Sequence, residues 1–315
     1  MDKDIHVGAL LRRGSPAIRR HQYPSRPASE QVESRTFFSI FKPCSPKDEQ
    51  GFFVPTQTNT TTMKTKIQSE LNRIENERGV QVLYAVESGS RAWGFASTDS
   101  DYDVRFIYLR APEWYLSVEQ KRDVIEEPIS GELDISGWDL RKALGLLRKS
   151  NPPLLEWLKS AIVYREDVGF STGFRALAEN YYSPGKCFLH YLHMAEGNFR
   201  DYLRGDVVWL KKYLYVLRPI CACRWIERGL GPVPMEFSKL VNKTIDDVML
   251  RFAIADLVVR KRNGEELDRA PRVPVISEFV ESELARLADI APEKTEPLPV
   301  TELDAFFRNT LLKAA

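Results

Sequence analysis

The sequence predicts an α+β fold in which a small sheet-containing domain precedes an all-helical domain, with an N-terminal extension before both. Three observations support this prediction. Two β-branched, apolar runs fall within 80–109, an apolar spacing of three to four residues prevails after 153, and no regular period persists over 1–62. We therefore expect three regions, 1–62, 63–150 and 151–315.

The composition excludes several protein classes. The 315 residues include 45 Lys and Arg against 44 Asp and Glu, and this net charge of +1 gives no general attraction to nucleic acid. Since no apolar run approaches the ~20 residues that a membrane helix needs, we expect no membrane span. The four cysteines form no CxxC pair, so we expect neither a disulfide framework nor a zinc site, and we favour a cytoplasmic location.

The region 1–62 is predicted to be a disordered extension. It is rich in Pro, Ser and Thr and carries a net charge of +3 (9 basic and 6 acidic residues), whereas the rest carries −2 (36 and 38). Val7–Leu11 is too short for the apolar core of a signal peptide, and Asp2 and Asp4 argue against a transit peptide. We hypothesise that 63–315 is the whole functional unit and that Met63 is a candidate start codon.

The predicted sheet domain begins with a helix and continues with three strands. An apolar residue at every third or fourth position predicts a helix that ends at Gly79. The apolar run 80–86 predicts a buried strand, and 102–109 predicts a second one. A third strand is expected over 132–136. Asp139 follows it and is expected to cap the next helix.

The rest of the chain is predicted to be helical. Asn151-Pro152-Pro153 ends the capped helix, because a proline cannot continue the hydrogen-bond ladder. Beyond it, the apolar spacing predicts helices over 154–159, 174–181, 188–203, 207–228, 246–262 and 275–291.

One segment, GSRAWGFASTDSDYDVR over 89–105, carries the candidate chemistry. Gly89 follows the first strand, where a residue without Cβ lets a ligand approach the backbone, and Ser90 offers a hydroxyl and an N–H at a helix start. This pair predicts a phosphate cradle. Asp101 and Asp103 lie two residues apart in an extended segment, so both carboxylates project from the same face and suit Mg²⁺. A lone Asp-x-Asp is usually a solvated strand edge, but the upstream Gly-Ser pair makes the pattern much more specific.

The spacing of the Gly-Ser pair and the Asp-x-Asp motif resembles that of the DNA polymerase β-like nucleotidyltransferase superfamily. The fuller string SGSRAWGFASTDSDYDVRFIY, with the later DLRKALGLLRKSNPPLLEWLKSAIVY and LKKYLYVLRPICACRWIE, is similar to its RlaP-type branch, named for a proposed role in RNA repair. The resemblance covers about 63–270. It implies a minimal palm-like nucleotidyltransferase sheet on which three carboxylates from adjacent strands hold two divalent metal ions.

The resemblance requires a third carboxylate on the strand after the Asp-x-Asp motif. Asp134 fits because it lies between two apolar residues. Asp139 competes with it but suits a helix N-cap better, and Glu132 is a weaker rival. The resemblance therefore implies Asp101, Asp103 and Asp134 as catalytic ligands of two Mg²⁺ ions, for which Mn²⁺ would substitute.

Further residues are implied to bind the nucleotide. The Gly-Ser pair would hold the terminal phosphates, and Arg91 would either contact phosphate or form a salt bridge to a site carboxylate. The superfamily commonly places a lysine of the helical lobe on the triphosphate and an aromatic ring on the base. Lys211 or Lys212, and Tyr213, are the candidates for these roles. The competing interpretations are a solvated lysine pair and a tyrosine packed in the core.

The predicted function is the Mg²⁺-dependent transfer of a nucleoside monophosphate from an NTP to a hydroxyl group, with release of pyrophosphate. The name of the branch suggests an RNA end as the acceptor, and a protein or a small molecule stays open. The alternative is a catalytically silent regulatory or antitoxin-like protein that keeps the fold. Clustered, mutually repelling carboxylates weigh against that alternative.

Overall fold

A computed structural model describes most of the chain. The described residues are 57–265, 267–292, 296 and 298–314. The predicted disordered extension falls outside them, except for 57–62, which lie in the first helix. Both predicted domains belong to one compact unit, Pro55–Ala315, so the domain boundary at 150 stays a prediction. Within the described ranges, no helix is long and apolar enough to cross a membrane.

The elements alternate between strands and helices in the first half of the described chain and are mostly helical in the second. The larger sheet contains β1 (Val80–Glu87), β2 (Tyr102–Arg110), β3 (Val124–Glu126), β4 (Leu133–Asp139) and β5 (Val163–Glu166). A two-stranded ribbon contains β6 (Val207–Trp209) and β7 (Arg269–Pro271). The helices are α1 (Gln57–Arg78), α2 (Gly89–Trp93), α3 (Pro112–Tyr115), α4 (Leu140–Arg148), α5 (Pro152–Trp157), α6 (Val168–Tyr181), α7 (Pro184–Tyr202), α8 (Leu210–Glu227), α9 (Phe237–Thr244), α10 (Val248–Arg262), α11 (Pro274–Ala288) and α12 (Thr301–Ala314).

The five strands lie in the order β3-β4-β2-β1-β5. In this sheet β2 and β4 run parallel, and each other neighbouring pair is antiparallel. The sequence predicted β1, β2 and the first part of β4, which have eight, nine and seven residues. β1 is an apolar run, and β2 and β4 begin with alternating apolar and polar residues. The sequence missed β3 and β5, which have three and four residues and depend on a neighbouring strand for their definition.

Both faces of the sheet are covered by helices. On one face α1 packs Ile67, Leu71 and Ile74 into a buried cluster with residues of β1, β2 and β4. On the other face α4, α5 and α6 cover a second cluster, in which the rings of Trp138 and Trp157 stack with centroids 3.9 Å apart. Because side chains alternate along a strand, the face covered by α4 and α5 is the face that carries the acidic side chains of β2.

The sequence-based prediction of a helix over 207–228 was wrong at its start. Val207–Trp209 forms β6 and pairs with Arg269–Pro271, so the helix begins only at Leu210. A β-branched pair followed by a tryptophan favours extended backbone, and the partner strand lies about 60 residues away in the sequence. The helices α9 and α12 were not predicted either.

A buried ion pair joins α2 and α5 to the helical part of the chain. Glu156 of α5 accepts hydrogen bonds from Arg218 Nη1 at 2.7 Å, from the Tyr191 hydroxyl at 2.7 Å and from Trp93 Nε1 at 3.3 Å. The guanidinium of Arg218 also lies 4.5 Å from the centre of the Trp93 ring. These four residues, which we call the Glu156 hub, fix α2 against α7 and α8.

Candidate active site

Strand register brings two of the predicted carboxylates side by side. β2 and β4 pair in parallel with Asp103 directly beside Asp134, so both side chains project from the same face. Asp101 lies two residues before Asp103 and therefore shares this face. The negative charges of Asp134 and Asp101 both act to raise the pKa of Asp103. The structure thus brings the three predicted aspartates together at the start of β2 and β4.

Arg105 lies between two of these carboxylates. Its Nη2 donates to Asp103 Oδ1 at 3.2 Å and to Asp134 Oδ2 at 3.0 Å, and its Nη1 donates to the main-chain oxygen of Asp134 at 3.0 Å. The arginine side chain is 1% exposed, whereas the carboxylates of Asp103 and Asp134 are 21% and 22% exposed. A buried cation therefore holds the inner oxygens of a carboxylate pair whose outer part reaches solvent.

Gly89 is required by its contact with Asp103. Its φ of +60° is unfavourable for residues with a side chain, and a Cβ built on it would lie only 2.0 Å from Asp103 Oδ2. The neighbouring Ser88 N–H donates to the main-chain oxygen of Asp103 at 2.8 Å. Ser90 is buried in the first turn of α2. The close approach that the sequence predicted at Gly89 is thus made, in this structure, by a carboxylate.

Glu87, at the end of β1, is a buried acid of the site that the sequence analysis missed. Its carboxylate accepts the Asp103 N–H at 2.9 Å and the Tyr164 hydroxyl at 2.5 Å. Burial raises the pKa of Glu87 to about 7 and that of Asp103 to about 6, and Arg105 opposes the shift of Asp103. An acidic residue at the end of an apolar strand was the available signal.

Arg91 braces the loop before β2. Its guanidinium donates to the main-chain oxygens of Asp101 (3.2 Å) and Ser100, and it lies 3.8 Å from the centre of the Tyr102 ring. In the part of the chain that the structure describes, Arg91 forms no salt bridge. Of its two predicted partners, the site carboxylate is therefore not engaged, and phosphate contact stays a prediction.

On the helical side, the structure distinguishes the two candidate lysines. The Lys212 ammonium lies 4.2 Å from the centre of the Tyr202 ring and 5.0 Å from that of Tyr215, and its side chain is 5% exposed. Burial, aided by the charge of Lys211, lowers the pKa of Lys212 to about 8. Lys211 is half-buried and lies over the ring of Trp209, at 5.5 Å.

We call Asp101, Asp103 and Asp134 the acidic cluster. Tyr215, and not the predicted Tyr213, faces this cluster. The Tyr215 ring contacts that of Trp93 in α2, with centroids 5.8 Å apart. Burial raises its pKa, and the charges of Asp103 and Asp101 raise it further. Tyr213 is packed in the helical core, where its hydroxyl hydrogen-bonds Ser277 and accepts the N–H of Val273. The helical period could not choose between tyrosines two positions apart.

The two rivals for the third carboxylate are placed elsewhere. Asp139 accepts the Arg141 N–H at 2.8 Å and the Tyr115 hydroxyl at 2.7 Å, which confirms its prediction as the N-cap of α4. Glu132 is exposed, and only its main-chain oxygen, which accepts the Tyr102 N–H, holds it to β2.

The donor chemistry fits a divalent ion only in part. Asp101 and Asp103 supply hard carboxylate oxygens on one face, as suits a Mg²⁺ ion shared with substrate phosphates. However, no group of three or more His, Cys, Asp or Glu side chains placed to hold a metal occurs among the described residues. Arg105 binds Asp134 Oδ2 instead. The implied set of three carboxylates is therefore not assembled around a metal position.

Comparison with known proteins relates the chain to a family, to a bacterial relative and to a solved structure. A family model described as "RNA repair pathway DNA polymerase beta family" (RlaP) matches residues 63–309. The chain is 52% identical over 251 residues to the "Uncharacterized protein YcgL" of Bacillus subtilis (strain 168), covering 79% of this chain and 96% of that protein. The crystal structure of a nucleotidyltransferase-like protein from Exiguobacterium sibiricum 255-15 matches at 13% identity, over 80% of this chain and 90% of the other, with a TM-score of 0.28.

Proposed function

The chain belongs to the RNA repair pathway DNA polymerase beta family, and from that premise we propose that it transfers a nucleoside monophosphate from an NTP to a hydroxyl acceptor. The observation that carries the proposal is the register of β2 and β4, which sets Asp103 beside Asp134. Asp101 lies close enough for its charge to act on Asp103. Arg105 supplies one positive charge to the two carboxylates that it contacts, Asp103 and Asp134, and so leaves a surplus of negative charge at a partly exposed edge. Such a surplus calls for a cationic ligand.

Asp101 and Asp103 are the residues that would hold Mg²⁺, or Mn²⁺ in its place. A bound ion supplies positive charge that neutralises the triphosphate and favours the departure of pyrophosphate. A second ion would also need Asp134 as a ligand. Arg105 would first have to release Asp134 Oδ2, to which it now donates a hydrogen bond. Gly89 and Ser90 lie at the turn beside Asp103, where they would meet the terminal phosphates.

Asp134 is the proposed proton acceptor. In the transfer, the acceptor hydroxyl oxygen forms a bond to the α-phosphorus, the bond to the pyrophosphate oxygen breaks, and the hydroxyl proton passes to a base. Asp134 suits this role because its carboxylate is 22% exposed and is fixed from behind by Arg105. Arg105 therefore acts as a positioning residue for Asp134.

Lys212 is the proposed phosphate contact of the helical side. Among the described residues it has no carboxylate partner, and its ammonium is enclosed by two tyrosine rings. A buried cation without a counter-ion is costly, and a triphosphate would supply the missing charge. With a pKa of about 8, the side chain is mostly protonated at neutral pH.

We propose an RNA end as the acceptor because the family is described by an RNA repair pathway. The test is incubation of the full chain with each α-labelled NTP and Mg²⁺ or Mn²⁺, together with RNA and protein fractions from the source cell. Label in RNA supports the proposal. Label in protein or in small molecules instead would overturn the acceptor assignment but keep the transferase.

The role of Asp134 is tested by Asp134→Asn, which keeps the shape and a hydrogen bond to Arg105. We expect transfer to fall at least about 10³-fold, while NTP binding changes by less than about twofold, because the lost group acts on the acceptor. Glu132→Gln, at an exposed position two residues before Asp134, is the matched control and should change neither quantity. Unchanged turnover of Asp134→Asn would reject the assignment.

A catalytically silent regulatory protein is the second candidate function, and Arg105 is the observation that favours it. Its guanidinium contacts two of the three carboxylates and offsets part of their charge without a metal ion. NTP binding without transfer of label to any fraction, in Mg²⁺ and in Mn²⁺, would support this candidate over the enzyme.

A further inference from the structure

Trp209 is flanked by two cations at the start of the helical part. In the ribbon of β6 and β7, Trp209 pairs directly with Arg269, and Lys211 follows in the first turn of α8. The Lys211 ammonium lies 5.5 Å from the centre of the indole ring, and the Arg269 guanidinium lies 6.0 Å from it. Trp209 is half-buried and Arg269 is exposed. We call these three residues the Trp209 platform.

Within the described ranges, the two cations of the platform have no acidic partner. Among the described residues, neither Lys211 nor Arg269 forms a hydrogen bond through its side chain or an ion pair. Two other arginines of the helical part form ion pairs. Arg272, three residues from Arg269, binds Glu281, and Arg286 binds Glu227 and Glu283. Two like charges held beside one ring repel each other, so this arrangement favours an anionic ligand over an empty surface.

The platform adjoins the candidate active site. Lys212 follows Lys211 directly, and its ammonium contacts the rings of Tyr202 and Tyr215. The Tyr215 ring in turn contacts Trp93 of α2. On the other side, Arg262 at the end of α10 donates to the main-chain oxygen of Gly94, directly after α2. Lys211 is thus adjacent in sequence to a lysine whose aromatic contacts lead, through Tyr215, to Trp93 of α2.

We propose that the Trp209 platform binds a single strand of RNA, with one base stacked on the indole and the adjacent phosphates on Lys211 and Arg269. Every base has a face that stacks on an aromatic ring, and two cations within 6.0 Å of the ring centre match the phosphates that flank a base. The chain from 63 onward carries a net charge of −2 (36 basic and 38 acidic residues), so a local site of this size, and not a long basic track, fits its charge. The proposal deepens the proposed function, on which it rests, by locating the acceptor strand.

The test measures binding of a fluorescently labelled single-stranded RNA octamer to the full chain by anisotropy. Trp209→Ala should weaken binding by about 5- to 150-fold, the range that base stacking on an aromatic ring contributes, and Trp209→Phe should retain most of the affinity. Lys211→Ala and Arg269→Ala should each lower the slope of log affinity against log salt by about 0.7, since each removes one phosphate contact. Lys239→Ala, an exposed lysine on α9, is the matched control and should change neither.

Two further measurements separate this proposal from the proposed function. NTP binding by Trp209→Ala should equal that of the unchanged protein; a loss of NTP binding with RNA binding intact would assign the indole to the nucleotide and overturn the platform. Equal RNA affinity of Trp209→Ala and the unchanged protein, or no RNA binding by the latter, would also overturn it. Asp134→Asn should bind RNA normally. If the platform binds RNA but the protein transfers no label, the proposed function is wrong and the RNA-binding proposal stands.

Discussion

Among the described residues, two arginines are almost fully buried, and they differ in the number and exposure of the carboxylates that they bind. Arg218, 2% exposed, binds one carboxylate, that of Glu156, which is itself 8% exposed. Arg105, 1% exposed, binds two, and both of these remain about one fifth exposed, at 21% and 22%. The first pair is balanced and sealed. The second has more negative than positive charge and opens to solvent.

This difference distinguishes an ion pair that only stabilises the fold from a charged site that can bind a ligand. A balanced, sealed ion pair gains nothing from a further ion, so the Glu156 hub can only fix helices against each other. At the acidic cluster, Arg105 meets only the inner oxygens of Asp103 and Asp134, and the outer oxygens stay available to a ligand. The same side-chain types thus serve a structural role in one place and a proposed chemical role in the other.

The largest effect on stability is expected at the hub. Glu156→Ala leaves the Arg218 guanidinium buried without its counter-ion and removes the acceptor of Tyr191 and Trp93, so the free energy of unfolding should fall by about 3–5 kcal/mol. Urea denaturation measures this loss. Asp134→Asn is the comparison variant and should cost less than about 1 kcal/mol, because its carboxylate is partly solvated. Equal losses of unfolding free energy in Glu156→Ala and Asp134→Asn would contradict the structural difference between the Glu156 hub and the acidic cluster.

A smaller effect is expected when the arginine of the acidic cluster is removed. Arg105→Met brings Asp103 and Asp134 face to face without a cation, so the metal-free protein should lose about 1–3 kcal/mol of stability. Mg²⁺ or Mn²⁺ should restore much of this loss, since a divalent ion can replace the guanidinium charge. Thermal denaturation with and without the ions measures the recovery.

Arg218→Met provides the control for that recovery. Its destabilisation should not respond to divalent ions, because the sealed carboxylate of Glu156 offers no ligand position. If Mg²⁺ or Mn²⁺ stabilises Arg105→Met no more than it stabilises the unchanged protein, the acidic cluster does not bind a divalent cation in place of the guanidinium.

A dependence of stability on pH is also expected. Because the pKa of Glu87 is raised to about 7 in the folded state from an ordinary value of 4.5, the folded chain retains a proton that the unfolded chain releases. Without divalent ions, stability from this group should therefore fall as pH rises from about 4.5 to about 7. The contribution of Glu87 is obtained by measuring the free energy of unfolding against pH for the unchanged protein and for Glu87→Gln, and subtracting the second curve from the first. A difference curve that rises with pH over this window would contradict the assignment.

The sequence was informative where a pattern is local. The two-residue spacing of Asp101 and Asp103 predicted a shared acidic site, and the charge of Asp101 does act on Asp103. The position before Leu140 identified Asp139 as a cap. The pairing of β4 with β2 is non-local, so the alignment of Asp134 with Asp103 could only be expected through a resemblance. No local rule says whether an arginine on an acidic face turns to solvent or is buried beneath it, and Arg105 was missed for that reason.

The backbone at Gly89 has a consequence for interpreting other sequences. Any residue with a side chain at this position must abandon either the left-handed turn or the present position of the Asp103 carboxylate, since its Cβ would lie 2.0 Å from Oδ2. A homologous chain with alanine there would keep all its acidic residues in an alignment and yet lack this arrangement of them. One small position beside the acidic residues can therefore report, without any structure, whether a relative has retained a working geometry.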